Sequence, residues 1–120
     1  MADSLRLTLR IDIDGRPALG HGKIILLEHI DATGSISAAG RAMGMSYRRA
    51  WLLVESVNAL FSEPLVGTRP GGGGGAFLTE TGHTIVRLYR EAELLATRGS
   101  SSALEGLAKK IARPEKNTSP

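Results

Sequence analysis

Two arginines follow a serine and a tyrosine in the stretch MSYRRAW, as Ser46, Tyr47, Arg48 and Arg49. A guanidinium is a permanently charged, planar fork of N–H donors, suited to paired acceptors such as two phosphate oxygens or the O6 and N7 of a guanine. Upstream, Ser35 and Ser37 in GSIS place hydroxyls where a helix would begin, and the free N–H groups of a helix start attract anions. Downstream, Arg69 is followed by five consecutive glycines, of which Gly72 and Gly73 would form the tip of a turn whose bare backbone can approach a charged surface closely. Donors and cations of this kind bind; they do not cleave.

The remaining composition agrees. With no cysteine and three scattered histidines there is no thiolate and a poor ligand set, so no metal site is expected. No carboxylate pair, and no nucleophile with an adjacent base, stands at useful spacing, so neither an enzyme nor a cofactor is expected. The glycine run could suggest a phosphate-cradling nucleotide loop, but no Gly-Lys-Ser/Thr follows it and Ala76 to Leu78 reads as a strand. The opening segment lacks an apolar signal core, and no stretch approaches the roughly 20 apolar residues of a membrane span, which gives a soluble, cytoplasmic protein as the expectation. The formal charge of +3 is concentrated in KKIARPEKNTSP; residues 1 to 108 hold 11 basic and 11 acidic groups, so only local clustering is informative.

The elements that must position these residues follow from periodicity and punctuation. Leu5, Leu7, Leu9, Ile11 and Ile13 alternate with polar residues as in a half-buried strand over residues 5 to 14, and DGRP supplies turn chemistry. A helix from about Gly22 to Ala32 carries Ile24, Leu27 and Ile30 in one stripe and is closed by Gly34. Ser35 caps a second helix to about Met43, rich in alanine and glycine and thus open to close approach. Gly44 ends it, and Ser46 caps a third helix to about Phe61. Ala50, Leu53, Val54, Val57 and Phe61 fall on one side of that helix, while Arg48, Leu52 and Ala59 point the other way. Trp51 lies on the shoulder, where packing is its expected role. A strand at Leu65 and Val66, the glycine tip and a strand at Ala76 to Leu78 come next. Thr79 then caps a long helix to about Arg98, with Ile85, Leu88, Ala92 and Leu95 in one stripe. A capping box at Ser102 to Glu105 opens a short amphipathic segment, and disorder is expected beyond Arg113.

Strand, helix, helix, tight turn, helix and hairpin is the order of a winged helix-turn-helix, whose third helix enters the DNA major groove. The fold class expected is mainly α with a small β component, α+β, with an N-terminal strand, a glycine-rich wing and a long C-terminal dimerisation helix. Residues 1 to 98 would form the DNA-binding domain and 99 to 120 a tail.

The stretches HIDATGSISAAGRAMGMSYRRAW, EPLV, GGGGGAFLTETG and LYREAE, covering most of residues 20 to 93, resemble the N-terminal DNA-binding domain of the ModE family. Members of that family are molybdate-responsive transcription regulators, distantly akin to LysR-type regulators. The resemblance implies a homodimer on double-stranded DNA, with the motif serine, tyrosine and basic position carried onto Ser46, Tyr47 and Arg48 and the glycine segment as the wing. That segment looks shorter than the family's usual form and lacks the lysine often found there. Full-length members sense molybdate through C-terminal oxyanion-binding domains, and this chain ends about where those would begin. Molybdate binding is therefore not carried over, and a separate effector or sensor protein becomes a candidate partner. The alternative reading is a winged module that docks a protein through the stripe at Ile85 to Leu95 and the segment at Leu104 to Ile111.

Overall fold

A computed structural model of the chain describes residues 5–70 and 75–112. Asp14 and Gly15 adopt φ of 51° and 79° and reverse the chain between two antiparallel strands, β1 (Arg10–Ile13) and β2 (Arg16–Gly20). The structure departs from the sequence pattern in two places. The strand read over residues 5 to 14 contracts to Arg10–Ile13, because only those residues find ladder partners. The RPALG stretch is itself a strand, which the residues after the turn had not suggested. The register shifts between Ile11 and Asp12, beside Pro17, which has no N–H to donate.

α1 (His21–Thr33) ends at Gly34 with φ 72°, and its Ile24, Leu26, Leu27 and Ile30 form the centre of the core. α2 (Ile36–Ala42) and α3 (Tyr47–Leu60) pack on α1, and β3 (Val66–Thr68) pairs antiparallel with β4 (Ala76–Leu78). Ala39, Ala50, Val54, Val57, Leu65 and Leu78 complete the core between helices and hairpin. The architecture is a winged helix-turn-helix with a small β component.

α4 (Glu80–Gly99) starts at Thr79, whose hydroxyl accepts from the Gly82 N–H, and leads into α5 (Ser101–Ala108). The proposed capping box at Ser102 is not used: Ser100 serves as the end of α4 and the start of α5, so Ser102 already lies inside the helix. Residues beyond Ala112, where disorder was expected, lie outside the described residues. Tyr89 is the largest fully buried side chain, and its hydroxyl donates to the Leu9 carbonyl at 2.7 Å. Burial pushes the phenol pKa upward. No helix among the described residues is long and apolar enough to cross a membrane.

Arg90 fastens α4 to α1. It donates to both Glu28 oxygens, at 3.0 and 2.8 Å, and to Glu93 at 2.7 Å. These hydrogen bonds hold the Glu28 carboxyl below its ordinary value of 4.5, against a smaller opposing effect of burial. A depressed carboxylate stabilises the fold above its unfolded value and loses that contribution as pH falls through the lower folded value. Glu28→Gln is therefore expected to cost about 0.5–1 kcal/mol at pH 7, a modest figure because the pair is partly solvated. Thermal melts from pH 7 down to 3 should show the difference from wild type shrinking below about pH 4. A difference that stays constant across the range would show that Glu28 contributes through packing alone.

Candidate nucleic-acid interface

The two helices that follow Gly34 come together because their facing side chains are small. A Cβ placed on Gly40 of α2 would stand 3.0 Å from the Ala50 Cβ of α3. The turn between them passes through Gly44 at φ 70°, and the Met45 N–H reaches back to the Gly40 carbonyl at 2.9 Å. Ser46 caps α3 by accepting from the Arg49 N–H at 3.1 Å, and Ser35 caps α2 by accepting from Ala38 at 3.0 Å. Both serine hydroxyls have a structural task at the helix starts.

At about 3.6 residues per turn, α3 divides into two faces. Ala50, Val54 and Val57 are buried against the core. Arg48, Arg49, Leu52, Glu55 and Ala59 are exposed on the other side. Neither Arg48 nor Arg49 has a side-chain hydrogen bond or ion pair among the described residues, so both guanidiniums project from the first turn with their donors unspent. Tyr47 is 57 % exposed and stacks on Trp51 with ring centroids 6.4 Å apart; Trp51 is half-buried and packs against the core. Ser37, half-buried, accepts from Arg41 at 2.8 Å within α2. Its hydroxyl is thus drawn along the helix surface.

The wing is fixed from two sides. Asn58, near the end of α3, accepts from the Leu65 and Val66 N–H groups at 2.8 and 3.0 Å and donates to the Val66 carbonyl at 3.1 Å. Sequence reasoning missed this residue. On the other edge, the Ala76 N–H donates to the Gly34 carbonyl at 2.9 Å, and Ser35 forms a bridge with Gly75. The start of α2 and the root of the wing are therefore one unit, which brings Ser35 beside the hairpin. Arg69 lies over the Phe77 ring, 5.0 Å from its centroid, while its N–H closes the hairpin on the Gly75 carbonyl at 2.9 Å. Gly72 and Gly73 lie outside the described residues.

The arrangement presents donors and cations on one helix face with an arginine on the wing. Among the described residues no three His, Asp or Glu side chains gather as a metal-binding group.

No family model matches the chain. Its sequence is 39% identical over 104 residues, 85% of this chain, to the molybdenum-pterin-binding protein MopA of Rhodobacter capsulatus. It is 42% identical over 69 residues, 56% of this chain, to the DNA-binding transcriptional dual regulator ModE of Escherichia coli (strain K12). Over most of its length the chain is similar to ModE-type proteins. It spans 38% of the length of MopA and 26% of that of the Escherichia coli regulator. The fold is similar to that of a solved CbnR_DBD–DNA complex, with a TM-score of 0.56 at 17% identity over 72% of this chain and 95% of that one.

Proposed function

We propose that this ModE-type domain binds double-stranded DNA sequence-specifically as the recognition unit of a transcription regulator, with a role in the control of molybdenum uptake or metabolism. The observation that carries the reading is the pair of exposed, unpartnered guanidiniums of Arg48 and Arg49 on the first turn of α3, the turn that meets base edges in helix-turn-helix complexes. The names of the relatives support both the regulatory role and the molybdenum link. The role is non-enzymatic, and a regulator of this kind works in the cytoplasm, where the DNA is. Tyr47, Ser46 and Arg49 flank Arg48 on the groove side. Ser35, Ser37, Arg69 and the wing glycines contribute backbone phosphate contacts. Residues 1 to 98 form the DNA-binding unit.

The active form is a homodimer. Leu88 and Leu95 on α4 are 47% and 59% exposed, and together with Ile85 and Ala92 they make an apolar stripe that a second copy would cover. Ile11 and Ile13 of the hairpin border the same groove as Ile85 and Leu88. Two such units would present their recognition helices to half-sites about 34–36 Å apart. Exposure of Leu107 and Ile111, at 59% and 38%, favours a second surface on α5 and beyond for a protein partner such as a separate sensor.

Selection of bound sequences from random DNA at two salt concentrations tests the reading, and a recovered palindrome is the expected result. Arg48→Ala is expected to weaken the selected site by about 1–3 kcal/mol and to blur preference at one base pair of each half-site. Equal weakening on every sequence would make Arg48 a phosphate contact. Failure to enrich any sequence at low salt would overturn DNA recognition and leave the protein-docking alternative.

A further inference from the structure

The outward face of α3 contains one residue that a purely polar reader would not need. Leu52 is 49% exposed and takes no part in the hydrophobic core. It follows Arg48 by four residues and Arg49 by three, so on a helical wheel it falls between the two arginines, at the centre of the face they flank. An exposed leucine in a field of cations has no folding role in this position, since α3 is anchored by Ala50, Val54 and Val57 on its opposite side. A protein surface is a weaker match for this spot than DNA, whose dense negative charge answers the two free guanidiniums that frame this leucine. The major groove supplies a better one. Its floor is polar apart from the C5-methyl groups of thymines, and apolar side chains on recognition helices pack against those methyls.

We infer that Leu52 is a specificity-determining residue that reads a thymine methyl group within two base pairs of the position read by Arg48. The inference rests on the DNA-binding function proposed above. One helical turn separates Arg48 and Leu52, a rise of about 6 Å, and base pairs are spaced about 3.4 Å apart. The thymine therefore lies within two base pairs of the position contacted by Arg48. Ala59, on the same exposed face, lies about two turns farther along α3 and so is too distant to take over the contact. Such a contact selects thymine over cytosine and over uracil through a single carbon, with no hydrogen bond involved.

The test uses the whole chain and the sequence it selects. Each thymine of a half-site is replaced in turn by deoxyuridine, which removes only the methyl group. For the wild-type chain, one thymine per half-site is expected to show a loss of about fourfold, the value of burying one methyl. Leu52→Ala is expected to bind the thymine and deoxyuridine versions of that site equally, while retaining the guanine preference assigned to Arg48. Its melting temperature should match wild type, since the side chain is exposed, and Leu52→Met is expected to restore part of the methyl discrimination. A flat deoxyuridine scan of the wild type, or a scan that Leu52→Ala leaves unchanged, overturns the role of Leu52 while leaving DNA recognition intact. A chain that selects no DNA overturns both.

Discussion

Replacing Asn58 with alanine is expected to lower the stability of the domain by about 2–4 kcal/mol. The side chain satisfies three backbone groups at once: two N–H donors, on Leu65 and Val66, and the Val66 carbonyl. Leu65 and Val66 are 0% and 4% exposed, so the freed groups have little access to water. An unsatisfied buried polar group costs more than the net value of the hydrogen bond it lost. In a domain of this size each kcal/mol shifts the melting temperature by roughly 4–8 °C, so thermal denaturation followed by circular dichroism will register the change easily. Asn58→Asp keeps the two acceptor contacts, loses the donor and sets a carboxylate near the Val66 carbonyl; an intermediate loss is expected. Because Asn58 ties α3 to the first wing strand, wild-type-like melting of Asn58→Ala would mean that the wing root is held by other contacts.

The second large effect reverses an ordinary preference. Within helices, exchanging glycine for alanine usually stabilises by about 0.5–1 kcal/mol. At Gly82, in the first turn of α4, a Cβ would land on the Leu65 carbonyl oxygen, with the carbonyl carbon 3.1 Å and the Cα 3.3 Å away. The obstacle is backbone, and that same oxygen accepts from the Thr79 N–H at 2.9 Å, so it cannot turn aside without breaking the hydrogen bond that anchors the capping residue. Gly82→Ala is thus expected to destabilise by about 1–3 kcal/mol or more. Gly106 in α5, with nothing within 4 Å of its would-be Cβ, is the control; Gly106→Ala is expected to melt at or slightly above wild type. Equal behaviour of the two variants would show that α4 has room to shift away from the loop before it.

These two residues also mark where the sequence stops being informative. Ser35, Ser46, Thr79, Gly34 and Gly44 act through their nearest neighbours, by capping a turn or taking a left-handed φ, and such local chemistry is visible in the residue order. Asn58 and Gly82 act on a loop seven or more positions away, and nothing in the local pattern reveals what will fold back upon them. The first strand shows the same limit. Its alternation was legible, yet its length depended on which residues found partners across the Asp14–Gly15 turn, and RPALG carries too short a pattern to announce itself as that partner. Ser102 shows the converse, a sound local motif overridden because α5 already begins at Ser101 and takes Ser102 into its first turn. For the interface, the wheel separated the arginine face of α3 from its buried face correctly, since Ala50, Val54 and Val57 are buried and Arg48 and Arg49 are not. The pairing of the α2 start with the wing root was not legible, because it joins residues 35 and 75 through backbone alone.

The hydrogen bond from Tyr89 to the Leu9 carbonyl spans 80 positions of the chain. At ribosomal rates of about 5–20 residues per second, Leu9 is made roughly 4–16 s before the tyrosine that fixes it. Helices α1 to α3, whose contacts are mostly between neighbours in sequence, can dock in that interval, whereas the apolar segment before β1 must wait without the contact that Tyr89 supplies. It is therefore the part of the nascent protein most open to capture by a chaperone or by another growing chain. Slowing synthesis between α3 and α4 is expected to reduce the yield of folded protein more than an equal pause after α4.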